Sequence, residues 1–388
     1  MTVLIVCLAE ILSMTPFSMF LALQPALQRE WTLSNTQSGW VSSAYFGGYM
    51  LAVPLLASLT DRIDARTIWL AACGMAAAGA VGFSLFAHGT WSAAAMQVIA
   101  GAGLAGTYMP GLKLIADRLP HLPRPRDVAF YTTSFTMGSS LSFWIVGHLG
   151  ARLPWRQAVA FSAAGPIVAC LLVWMMLRAV PVTRVAHHGA HWNAVLASRD
   201  TMRYVVGYGA HVWELFALRA WVVPFMTFCA SLRGTPSPLA PSTLAAIVAL
   251  IGVPSSLLGA ELTAHLPRRP VIISVMLLSI LASLLVSPAA RVSWPLLIVA
   301  VCFYSAVISA DSAALTSGVL QVAPPGSRGT AMAVYSTFGF AAASAGTFAV
   351  GAMLDLMGGQ STASWSLAFA MMGAPNIIGA LAVRRSSK

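Results

Sequence analysis

Five ionisable side chains stand inside long apolar runs: Glu10, His211, Glu214, Arg219 and Asp311. A charge at the centre of a membrane-spanning helix costs about 2.5–3.5 kcal/mol on insertion scales, so such residues mark binding or proton-transfer sites by default. Desolvation disfavours the ionised form of a carboxyl and brings it into the range of a proton carrier. Glu214 with His211, or Asp311, has the chemistry for that role. Arg219 carries a planar fork of donors that matches carboxylates and similar anions. The stretch GYGAHVWELFALRAWVVPF, Gly207 to Phe225, sets the spacing. His211 and Glu214 are three apart and share a helical face, and Trp221 follows Glu214 by seven on that face. Arg219 is five beyond Glu214, about 140° round an ideal helix. It is therefore expected to meet another helix or an anionic substrate rather than Glu214.

These residues need elements that hold them out of water. The chain has 388 residues, of which 58% are hydrophobic and 9% charged. Soluble domains carry about 25% charged residues, so an ordinary soluble enzyme is excluded. A helix needs roughly 20 apolar residues to span a bilayer. Twelve runs qualify, at 3–27, 37–60, 67–87, 91–116, 127–150, 157–178, 202–230, 242–262, 270–288, 293–320, 330–353 and 362–383. The alternating pattern of a membrane barrel is absent. The first run is read as a span rather than a cleaved signal peptide, because it lacks a basic n-region, carries Glu10 and runs on past signal-peptide length. The expected fold is an all-α membrane protein with twelve transmembrane helices. Its expected domains are an N-terminal six-helix bundle, 1–178, a cytoplasmic linker, 179–201, and a C-terminal six-helix bundle, 202–388.

The charges that remain set the orientation. Of 22 Lys and Arg, Arg29, Arg152, Arg156, Arg233 and Arg291 fall on one side and Lys113 and Arg219 inside helices; the other 15 lie on the opposite side. Positive residues stay in the cytoplasm, and an even number of spans puts both termini there, in an inner (plasma) membrane. The net charge of +11 thus reads as topology, with a lipid bilayer and no nucleic acid as partner. Lys113 can snorkel from the inner end of its span toward Asp117, one turn on. The five cysteines are odd in number and scattered, each in an apolar run, and read as buried free thiols rather than a disulfide framework. His187, His188 and His191 in the linker are read as a solvated loop, and no metal site or cofactor is expected.

The two halves resemble one another. AFYTTSF from Ala129 is followed 204 residues later by AVYSTFG from Ala333. Trp91 and Trp294 open corresponding spans, and Val53-Pro54 matches Val253-Pro254. Transporters are commonly built from such repeats.

The loop ASLTDRIDAR, Ala57 to Arg66, resembles the G-x-L-A-D-R-x-G-R-R loop of the major facilitator superfamily. Leu59, Asp61, Arg62 and Arg66 match, Ala57 stands for the first glycine, and Asp64 replaces the second. A degenerate copy, GAELTAHLPRR, begins at Gly259. Leu153 to Phe161, with Trp155-Arg156, resembles a stretch that opens the sixth span in this superfamily. The resemblance implies two pseudo-symmetric bundles around a central cavity lined by spans one, four, seven and ten. It implies a gate on the cytoplasmic side made by Asp61, Arg62 and Arg66, and alternating access by rocking of the halves. Three of the four cavity spans carry the buried charges. Glu10, His211, Glu214 and Asp311 fall about 12, 14, 18 and 14 Å from the inner ends of their spans, counted at 1.5 Å per residue. Facing residues complete the expected substrate- or proton-binding set: Gln97 and Tyr108 in span four, Trp221 in span seven and Tyr304 in span ten.

Two departures bear on function. Gln97 stands where proton-coupled members have an arginine, in QVIAGAG, and span five has no Gly-Pro pair. Both lower the case for drug/proton antiport. The expected function is secondary active transport of a small solute, proton-coupled, in the direction of uptake of a small organic or inorganic anion. Efflux of a small organic compound by proton antiport is the alternative, and a soft-metal transporter a weaker one. An enzyme is not expected, since no H-E-x-x-H, G-x-S-x-G or P-loop is present. The chain is expected to act as a monomer.

Overall fold

The computed structural model describes residues 1–119, 125–180 and 192–385, and helices occupy all twelve predicted runs. Among the described residues there is no strand. Spans two to five are single helices, Asn35–Leu59, Ala65–Phe86, Thr90–Ala116 and Pro125–Gly150. So are spans seven to nine, Arg199–Arg233, Pro241–His265 and Arg268–Val292, and span eleven, Arg328–Leu356. A short helix, Trp192–Ala197, precedes span seven. Nine segments among the described residues are long and apolar enough to cross a membrane by themselves. The linker histidines lie outside the described residues.

Four spans are interrupted. Span one is Thr2–Ser13 and Gln24–Glu30; span six is Trp155–Ser162 and Ala164–Met176. Span ten is Trp294–Ser309 and Ser312–Val322; span twelve is Thr362–Gly373 and Pro375–Arg384. A break in a lipid-embedded helix frees backbone groups that must find partners inside the protein. In span one the turns tighten instead, as in Phe17 N–H donating to Met14 O at 2.9 Å and Met19 N–H to Pro16 O at 3.0 Å. Thr15 Oγ1 also donates to Ser162 O at 2.6 Å, tying the break in span one to span six.

Each of these two key breaks is met by a glycine. A Cβ on Gly165 of span six would lie 1.9 Å from Thr15 Oγ1 and 2.3 Å from Leu12 O. A Cβ on Gly259 of span eight would lie 1.6 Å from Ala310 O, at the break in span ten. No larger residue fits at either place without moving backbone. Close approach through small residues is how membrane helices gain packing without a hydrophobic drive.

The chain divides into two compact units, Met1–Thr32 with Ala44–His187, and Leu33–Ser43 with His188–Lys388. The division follows the linker except at the start of span two, which belongs to the second unit. There Asp355 accepts from Asn35 N–H at 3.1 Å and Thr36 N–H at 2.7 Å, satisfying the free donors at that helix's N-terminus. In the first unit span one packs on spans four, five and six, and span three on span four. Its apolar core includes Val6, Ala9, Trp69, Cys73, Ile115 and Val173. In the second unit span seven packs on spans ten, eleven and twelve, around Val205, Ile272, Met276, Leu315 and Val334. The duplication is visible in the element bounds. Pro125–Gly150 and Arg328–Leu356 begin 203 residues apart, and Thr90–Ala116 and Trp294–Val322 begin 204 apart.

Candidate functional site

The second unit holds a cluster of polar groups on span seven and its neighbours. Glu214 is 1% exposed. Its Oε1 accepts from the Tyr304 hydroxyl at 2.8 Å, and its Oε2 from Ser279 Oγ at 2.7 Å and from Asn376 Nδ2. Three donors, from spans nine, ten and twelve, thus converge on one carboxylate. That is the arrangement that favours the charged form and repays part of the cost of burying it. His211 does not join Glu214, although the two share a helical face. Its Nδ1 meets Asp311 Oδ1 at 2.7 Å, and both are buried. Asp311 sits at the break in span ten, where the helix restarts at Ser312. On the other side His211 stacks on Tyr208 at 5.9 Å between ring centroids, and Tyr208 stacks on Tyr335 at 3.6 Å.

Arg219 stands apart from that network. It is 4% exposed, and no acceptor among the described residues reaches its Nε or one terminal nitrogen. Its guanidinium lies over the Phe216 ring at 5.4 Å. Trp221 also stands outside the Glu214 cluster. Its indole N–H donates to Thr347 O at 2.9 Å and its ring meets Trp365 edge-on.

The first unit buries Glu10 completely, and neither carboxyl oxygen has a hydrogen-bond partner among the described residues. Hydroxyls surround it, each within hydrogen-bond distance of a backbone carbonyl. Ser13 donates to Glu10 O at 2.9 Å, Thr107 to Leu104 O at 3.2 Å, and Tyr131 to Thr107 O and Tyr108 O at 2.9 Å. Tyr108 stacks on Tyr131 at 5.8 Å. Gln97, in the same span as Tyr108, is buried, and its Oε1 has no hydrogen-bond partner among the described residues.

The loop between spans two and three carries a different carboxylate from the one the resemblance singles out. Asp61 is half-buried and Arg62 exposed, while Arg66 donates to Trp174 O at 2.8 Å. Asp64 is the hub. It caps span three by accepting from Arg66 N–H at 3.0 Å. It also accepts from Val180 N–H at 3.0 Å and from one Arg118 nitrogen at 3.0 and 2.9 Å. Arg118 reaches on to Arg178 O. Partial burial pushes the Asp64 carboxyl up, but the two N–H groups and the guanidinium outweigh it and hold it below the usual range. A depressed folded-state pKa adds stability above the unfolded value that is lost as pH falls through the folded one. Thermal unfolding of Asp64→Asn is therefore expected to lose the part of the acid dependence below about pH 4. Arg118→Ala should cost about 3 kcal/mol, the low end for removing one partner of a buried pair. A wild-type acid profile in Asp64→Asn would refute the assignment.

Other sequence features resolve into local packing. Lys113 pairs with Asp117 at 2.9 Å. Arg156 closes the end of span three by donating to Ser84 O at 2.6 Å and Ala87 O at 2.9 Å, and lies 4.4 Å over Trp155. The five cysteines are free, and no cluster of metal-ligating residues occurs among the described residues. The sequence reading missed Ser279 and Asn376, the neutral donors to Glu214, together with Tyr131 and Asp64. An amide inside an apolar run, as at Asn376, is the signal that was there to find.

The chain matches the sequence profile described as Major Facilitator Superfamily over residues 6–242. It belongs to that family and is a multi-pass membrane protein. It is 23% identical over 159 residues to a niacin transporter of Acinetobacter baylyi, 40% of this chain and 34% of that protein. It spans about a third of the length of the curated relatives first matched. Protein spinster homolog 3 of Danio rerio is 22% identical over 368 residues, 87% of this chain and 74% of that one. Among solved structures, a bacterial homologue of the human lysosomal transporter Spinster in an inward-facing and unoccupied conformation superposes with a TM-score of 0.78. It is 17% identical, over 99% of this chain and 97% of that one. The nucleoside transporter NupG superposes with a TM-score of 0.75 and 17% identity over 100% and 99%. At these identities the structural likeness establishes the fold alone.

Proposed function

We propose that this chain is a proton-coupled secondary transporter that imports a small organic or inorganic anion by alternating access. One observation carries the anion reading. Arg219 is a guanidinium buried in the apolar interior with donors that no described residue uses. A buried cation left without a partner is costly, and an anionic substrate would supply the missing acceptors. Glu214, His211 and Asp311 supply groups on the same helix and its neighbour that can change charge. The relative named as a niacin transporter is consistent with this reading, since niacin is a carboxylate at neutral pH. Glu10, Gln97, Tyr108 and Tyr304 complete the substrate- and proton-binding set. Asp61, Arg62 and Arg66, braced by the Asp64–Arg118 cluster, form the gate on the cytoplasmic side. The protein works as a monomer in the plasma membrane with both termini inside.

The test is a thermal-stability screen of purified protein against metabolite and inorganic-ion libraries at two pH values. A ligand that binds only the folded protein raises its stability by mass action, about 2.7 kcal/mol at a hundredfold excess over Kd. Stabilisation by small anions, stronger at the lower pH, is the expected result. Stabilisation by cations or neutral compounds alone would reject the anion reading.

A further inference from the structure

The internal repeat sets the two buried glutamates against each other. Glu10 and Glu214 are 204 residues apart, the offset that also relates Tyr131 to Tyr335, Thr107 to Asp311 and Cys7 to His211. Each glutamate lies in the first helix of its unit, beside the fourth, and the fourth and fifth helices of the two units begin 204 and 203 residues apart. The carboxyl position is therefore one site present twice, once in each unit.

The surroundings of the two copies differ in hydrogen bonding. Glu214 faces three donors, Tyr304, Ser279 and Asn376, which is what an ionised carboxylate needs. The hydroxyls of Ser13, Thr107 and Tyr131 near Glu10 each lie within hydrogen-bond distance of a backbone carbonyl. Neither Glu10 carboxyl oxygen is within hydrogen-bond geometry of a donor among the described residues, whereas both Glu214 carboxyl oxygens are. The other groups that act on Glu10 are Cys7 on its own helix, Tyr45 on span two and Cys73 on span three, with Tyr131 on span five. None of them is a cation. Around Glu214 the charged or titratable groups are Tyr304 and Asp311, the latter paired with His211. A fully buried ionised carboxyl with no ion pair and no donor in hydrogen-bond geometry among the described residues is far costlier than the neutral acid.

We propose that Glu10 and Glu214 are a duplicated proton site, one per unit, and that in this structure Glu10 holds its proton while Glu214 is ionised. The inference rests on the proton-coupled reading above and adds to it a second, unequal proton position. In each turnover an O–H bond forms on the carboxyl with a proton from water on one side and breaks to water on the other.

Infrared difference spectroscopy of the purified full-length protein reads this without any substrate, so its outcome is independent of whether transport proves to be pH-driven. At neutral pH the wild type should show the C=O stretch of a buried carboxylic acid. Glu10→Gln should remove that band. Glu214→Gln should leave it and remove instead a carboxylate band that turns into a C=O band on acidification. Tyr131→Phe, which changes only a neighbouring hydroxyl, should shift the neutral-pH band without removing it and serves if Glu10→Gln fails to fold. A neutral-pH band that survives Glu10→Gln, disappears in Glu214→Gln or stays unmoved in Tyr131→Phe overturns the proposal.

Discussion

Glu214→Gln is expected to abolish accumulation driven by an imposed pH gradient in proteoliposomes, down to the level of empty vesicles, while leaving the protein folded. The ligand for the assay is the one the stability screen identifies. The expectation separates two roles of the side chain. As an acceptor, Glu214 takes hydrogen bonds from Tyr304, Ser279 and Asn376. Glutamine keeps one acceptor oxygen, which can serve Tyr304, but presents an N–H group where the Asn376 amide now donates. Asn376 can turn its amide over, because its Oδ1 has no partner among the described residues. It then accepts from the new N–H. The net cost is the difference between hydrogen bonds to a charged group and neutral ones, about 1 kcal/mol, too little to unfold the protein. As an acid, glutamine can do nothing, so movement down the solute's own gradient should persist and coupling should not. Wild-type accumulation in the variant would remove Glu214 from the proton path. Asp311→Asn tests the neighbouring pair in the same assay, since it leaves His211 without its carboxylate at 2.7 Å.

The spans were legible because the bilayer imposes length and apolarity together, and every predicted run holds helix whose outer ends fall within a few residues of those expected, four of them with an internal break. The five buried ionisable residues were legible for the same reason: a charge in an apolar run is conspicuous. Their partners were not. Helical periodicity says that His211 and Glu214 share a face, but not that His211 reaches across to Asp311 while Glu214 reaches Asn376, which lies 162 positions along the chain. Such pairings are set by how helices pack, and packing is encoded in small residues such as Gly259 and Gly165 rather than in charges. The helix breaks were also hidden. In span one the visible cue is Pro16, and residues 14–23 are otherwise as apolar as the helix before them. Asp64 was noticed only as a mismatch to the loop it resembles, yet it is the carboxylate on which Arg118, Arg66 and Val180 converge.

The second large effect concerns Arg219, and its sign differs between stability and binding. A guanidinium that is 4% exposed has given up most of its hydration, and no carboxylate among the described residues forms an ion pair with it. Replacing buried charges by apolar residues of similar size is often stabilising, by about 1–4 kcal/mol. Arg219→Met keeps the length of the side chain and its packing beside Phe216 while removing the charge. The variant is therefore expected to unfold at a higher temperature than the wild type when no ligand is present. The same change should erase the stabilisation that an anion confers on the wild type, because truncating one partner of a buried hydrogen-bonded charge pair costs about 2–5 kcal/mol of binding, roughly 30-fold or more in Kd. Arg219→Lys keeps the charge and loses the fork, so it should retain weak binding and little of the added stability. Differential scanning fluorimetry with and without the ligand reads both effects in one experiment. A structural arginine predicts the opposite pattern: lower stability in Arg219→Met and an unchanged ligand shift in whatever protein remains folded. Residues retained for binding at the expense of stability are characteristic of functional sites, and on the proposed reading that expense falls on one buried cation with no ion-pair partner among the described residues.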